Sequence, residues 1–69
     1  MTRNVAEALL EHHFEDVRKG LRIGSLDIAK FSFHDALELF SKLPYRLREE
    51  MATKWSGHFT RAGILIDLA

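Results

Sequence analysis

Sixty-nine residues, 46% hydrophobic and 29% charged, make one ordinary globular domain, and at this size folding hides only about 60% of the surface that the unfolded chain exposes. The absence of cysteine removes disulfides and thiolate metal sites as supplements to so small a core, leaving a partner chain. Ten basic residues stand against ten acidic ones, evenly spread, so there is no polybasic arm to neutralise phosphates, and no apolar run approaches the roughly 18 residues of a membrane span.

In chain order, the first helix is expected from Asn4 to Lys19. Asn4 and Glu7 have the form of a capping box, and Gly20 suits the left-handed residue that follows many helices. On a wheel, Val5, Ala6, Leu9, Leu10, His13, Phe14 and Val17 fill an arc of roughly 180°, wider than one core-facing stripe requires. Glu7 and Glu11 interrupt any signal-peptide core, which makes the cytoplasm the expected compartment.

Residues 20 to 32 fit neither helical nor strand period. Gly20 and Gly24 act as breakers and Ser25 is a possible cap for a short turn, so a buried connector with about one turn of helix is expected. Ser32 and Asp35 then resemble a capping box opening a second helix from Phe33 to Leu43, with Phe33, Ala36, Leu37, Leu39, Phe40 and Leu43 on one side. Pro44 ends that helix and is well placed as the first residue of a third.

In the third helix Leu47, Met51, Trp55, His58, Phe59 and Ala62 recur at helical spacing, with Ala52 and Tyr45 at one edge and Arg48 intruding. Gly57 lies on the polar side and weakens the helix without ending it; Gly63 is the expected stop. The tail Ile64 to Leu68 has the makings of a short fourth element, a strand beside Leu21 to Ile23.

No catalytic signature emerges. Gly24-Ser25-Leu26-Asp27 is not the G-x-S-x-G elbow, and the adjacent Glu49 and Glu50 point about 100° apart on a helix, so they cannot share one reacting atom. An enzyme is therefore not expected, nor a cofactor. His12 with Asp16 and His34 with Glu38 have a spacing that can present two ligands to one ion, but without C-x-x-C or H-E-x-x-H both read as surface ion pairs. His13 and His58 fall inside apolar arcs, where an imidazole needs a hydrogen-bond partner or an interface edge; assembly that changes near the ordinary histidine value of about 6.5 would follow from the second.

Helix-turn-helix DNA binding is the rival reading, with Arg46, Arg48, Lys54 and Arg61 as contacts. Glu49 and Glu50 in the first two turns oppose it, as does proline where the turn usually carries glycine. Over Leu37 to Lys54, through Leu37-x-x-Phe40 and Arg46-Leu47-x-Glu49 and with one gap, the chain resembles small helical nucleoid-modulating proteins of the Hha type. That resemblance implies that a neutral helical chain of this length can act by binding a regulator.

The reading is a single all-α domain over residues 1–69, three helices with room for a short fourth element. It is expected to bind a protein partner through an apolar helix face, a second copy of itself first and nucleic acid only second. Three helices each show an apolar arc of roughly 160° or more, and excess apolar surface on a small chain marks an interface. Leu10, Phe14 and Val17 on the first helix, with Tyr45 and Trp55 on the third, are the expected anchors.

Overall fold

A computed structural model describes residues 1–69 as three helices, α1 (Arg3–Ile23), α2 (Leu26–Ser41) and α3 (Tyr45–Leu68), with no strand. The chain is thus all-α, and the expected strand pairing of Leu21 to Ile23 with the tail does not form.

Helix α1 begins two residues earlier than a cap at Asn4 would set. Thr2 is the N-cap, its Oγ1 accepting from the Val5 N–H at 3.3 Å, which satisfies one of the orphan donors of the first turn. The helix also runs one turn past Gly20. Its end is Gly24, at φ 78°, in the left-handed region that glycine adopts without steric cost. The Gly24 N–H donates to Leu21 O at 3.3 Å and the Ser25 N–H to Gly20 O at 2.8 Å, together forming a Schellman motif.

Gly20 serves packing instead of termination. A Cβ there would sit 2.7 Å from the Ala29 nitrogen and 3.0 Å from Ser25 O, so only glycine lets the backbones of α1 and α2 approach this closely. The expected connector of residues 20 to 32 shrinks to Gly24 and Ser25. Ser25 caps α2 at once, its Oγ accepting from the Ile28 N–H at 3.4 Å, with Asp27 in the first turn where the helix dipole favours an acid. Ser32 therefore lies inside α2 and opens nothing.

The second turn is equally tight. The Lys42 N–H donates to Glu38 O and Leu39 O at 3.2 Å, the buried Leu43 plugs the corner, and Pro44 leads into α3 with φ −54° and ψ 143°. Helix α3 continues through both Gly57 and Gly63 to Leu68. Its 24 residues, at about 1.5 Å each, match the 36 Å long axis of the molecule.

Ala6, Leu10, Phe14 and Val17 from α1 meet Ala29 and Ala36 from α2 and Met51, Trp55, Ala62 and Ile66 from α3. The α2 contribution is small in volume because α2 lies close against α1. The space that remains between the three helices is filled by aromatic rings.

Candidate functional site

Those rings decide which residues remain available to a partner. Phe14 stacks on Trp55 with centroids 5.8 Å apart and meets the edge of Phe59 at 5.0 Å, and Phe59 in turn contacts Phe40 at 5.6 Å and Phe33 at 6.1 Å. One cluster thus joins all three helices, and such offset or edge-to-face pairs add about 0.5–1.5 kcal/mol each beyond their buried area. Four of the five phenylalanines and the tryptophan are spent in it.

Four of the five expected interface anchors are consequently not at the surface. Leu10, Phe14, Val17 and Trp55 are buried in the core, because α2 and α3 cover the arc of α1 that carries the first three and Trp55 of α3 stacks on Phe14 within it. Tyr45 alone is exposed, at 71%, with the Arg48 guanidinium 5.8 Å over its ring. The surface apolar residues are others: Val5 and Leu9 on α1, Ile23 at its end, Ile28, Phe31 and Leu37 on α2, and Ile64, Leu65 and Leu68 on α3.

Glu7 is a structural residue that its position in an expected capping box concealed. Trp55 Nε1–H donates to Glu7 Oε2 at 2.9 Å, Lys54 Nζ donates to the same oxygen at 3.0 Å, and Arg3 Nε lies 3.6 Å from Oε1. The Trp55 bond, then the Lys54 bond and charge, hold the Glu7 carboxyl below the usual carboxylate range. This tie fixes α3 against α1 at the Trp55 level and satisfies the one polar atom of a buried indole.

Further along, α1 and α3 leave an open groove of about 110 Å³. Phe14, Val17 and Leu21 from α1 and Ala62 and Leu65 from α3 form its apolar lining, while Arg18, His58 and Arg61 supply the polar groups. No carboxylate lines it. The His58 ring packs on Trp55 at 4.7 Å and on Phe14 at 5.6 Å, with Nδ1 3.1 Å from Lys54 O; a carbonyl only accepts, so Nδ1–H is the donor. Arg18 is bound to Glu15 at 2.6 Å, while Arg61 has no carboxylate partner within the chain.

Comparison with protein-family models, with curated proteins and with solved structures returned no match for this chain. The local resemblance of Leu37 to Lys54 to Hha-type proteins gains no support from them, and the site must be read from its own chemistry.

That chemistry is not arranged as a metal centre: no three His, Asp or Glu side chains come together. His12 Nε2 faces Asp16 at 3.4 Å as an exposed pair, whereas Glu38 turns from His34 to Lys42, whose Nζ donates at 2.8 Å. With the acid N-terminal to the lysine at i,i+4, the Glu38–Lys42 pair has the orientation that a helix favours. The basic residues of a DNA-reading helix are dispersed as well. Lys54 is committed to Glu7, Arg48 is half-buried over Tyr45, Arg61 faces the groove, and Arg46 shares two turns with the exposed Glu49 and Glu50. No helix is long and apolar enough to cross a membrane.

Proposed function

We propose that this chain is a small cytoplasmic interaction module, without catalytic activity of its own, that works by associating with protein, and first with another copy of itself. The homodimer is the smallest such assembly. The observation that carries the reading is the set of large apolar residues left outside the core, above all Phe31, 72% exposed on α2 with Ile28 and Leu37 also exposed there.

An exposed phenylalanine forgoes about 1.5–3 kcal/mol that burial would return, and α2 has no internal reason to place one there. Two independent features support association over nucleic-acid binding. The net charge is zero, and of the α3 cations Lys54 is committed to Glu7 while Arg46 stands beside the exposed Glu49 and Glu50, which leaves too little free positive charge on one face for strong phosphate neutralisation. A regulatory role, in which association controls a larger protein, suits a chain whose surface offers contacts and no pocket of reactive groups.

Light scattering on the eluting protein tests the reading. The expected mass at neutral pH is a multiple of 8.0 kDa that grows with loading concentration; a constant single-chain mass up to millimolar concentration would sink self-association.

A further inference from the structure

We infer that the groove between α1 and α3 receives the Phe31 side chain of another copy of this chain, giving a head-to-tail contact.

Size, charge and the choice of aromatic all bear on this. A volume of about 110 Å³ is on the scale of one aromatic ring, since an apolar cavity of about 150 Å³ takes up benzene; it is too small for the face of a whole helix. Two aromatic side chains stand free on the surface, Tyr45 and Phe31. Tyr45 lies between Arg46 and its own Arg48 contact, with Glu49 lining the same hollow, and would bring a net positive balance to a groove that already holds Arg18 and Arg61.

Phe31 brings the opposite sign. One helical turn before and after it on α2 stand Asp27 and Asp35, both exposed and neither paired with a cation in the chain. Lys30 and His34 line one hollow with Asp27 and Phe31, and Lys30 also borders a second with Phe33 and Asp67; with two aspartates against one lysine, the formal charge around the ring is still negative. Unpaired aspartates beside the ring thus complement the unpaired Arg61 beside the groove, the arrangement that steers and orients two surfaces.

The donor and the receiver belong to different sides of the bundle. No α2 residue lines the groove, and Phe31 lies about 200° round α2 from the buried Ala29. The ring therefore comes from another copy, and the contact is heterologous. Two copies joined once leave one groove and one Phe31 unused, so the dimer is the first step of a ring or an open array and not a closed pair.

The inference rests on the self-association reading, and sedimentation of wild type with three variants separates the two. Phe31→Ser, the donor reversal D27R/D35R and the groove reversal R18E/R61E alter exposed side chains only, and circular dichroism checks that each stays folded. Phe31→Ser is expected to weaken association about ten- to a hundredfold, from loss of one buried aromatic, and each reversal about tenfold or more, from like-charge juxtaposition. Mixing the two reversed proteins should restore it, because each then meets its opposite. Wild type that stays monomeric would overturn both readings. Wild type that associates while Phe31→Ser is unaffected, or reversed variants that fail to associate when mixed, would overturn the Phe31 contact and leave self-association standing.

Discussion

Gly20 and Gly57, both inside helices, do different physical work, and substitution separates them. At Gly20 an added methyl meets backbone atoms of Ala29 and Ser25 at 3.0 Å or less, and backbone cannot step aside as a side chain would. Gly20→Ala should cost about 1–3 kcal/mol of stability by forcing α1 and α2 apart, read as a lower urea midpoint. Gly57 has open space around its Cβ position, so Gly57→Ala should raise that midpoint, by about 0.5–1 kcal/mol of helix propensity. Equal effects of the two would mean that helix α2 does not press on Gly20. Glu7 supplies a prediction of another kind. Its folded carboxyl titrates below the ordinary range because Trp55 and Lys54 bind the charged form, so its contribution is present at neutral pH and is lost as pH falls from about 4.3 through the lowered value. In Glu7→Gln the amide oxygen still accepts from Trp55 but does not titrate. Its melting temperature should fall less between pH 5 and pH 3 than that of wild type, followed by Trp55 fluorescence; parallel curves would remove Glu7 from the acid response.

At the scale of elements, α2 is the informative helix, because its fully buried residues are both small. Ala29 and Ala36 are fully buried while Ile28 and Phe31 point outward, so the closest approach of α2 is marked by its alanines, with Gly20 of α1 opposite Ala29, and the large groups Leu26, Phe33, Leu39 and Phe40 are only partly buried against the core. Enlarging an alanine there should be costly: Ala36→Leu is expected to destabilise by about 1–3 kcal/mol through overpacking, and a neutral result in denaturant titration would mean that α1 and α2 pack more loosely than described. The same feature explains why the start of α2 was hidden from hydrophobic periodicity. Ile28 and Phe31 carry their bulk on the wrong side for a core stripe, and Gly20 and Gly24 looked like equal breakers when only Gly24 terminates a helix. By contrast the Leu43-Pro44 corner and the Met51, Trp55, Ala62 stripe of α3 were plain, since proline restricts its neighbour and large buried groups keep a 3.6 period. Gly63 did not stop α3 because Ile66 beyond it still finds core to bury in. An arc of apolar residues reports how much grease a helix carries but not which helix covers it. That is why Leu10, Phe14, Val17 and Trp55 were expected at an interface and Phe31 was expected in a buried connector.

For the whole molecule, the aromatic cluster ties the three helices into one interior, and the proposed function rests on what remains outside it. Phe14, Phe33, Phe40, Phe59 and Trp55 close the interior, so removing Phe59 from the centre of the cluster should cost about 3–5 kcal/mol and unfold so small a domain under mild denaturant. Removing Phe31 should leave the urea midpoint within about 0.5 kcal/mol of wild type while changing association. That pair of results, association changed and fold unchanged, is what the proposed interaction role requires. The most direct measurement is a dilution series of two-dimensional amide spectra from millimolar to micromolar protein. The account predicts that resonances around Phe31 on α2 and around Arg61 and Leu65 on α3 shift together, with one midpoint, while those of the buried Ala36 and Met51 stay fixed. Spectra that superimpose at every concentration would contradict it.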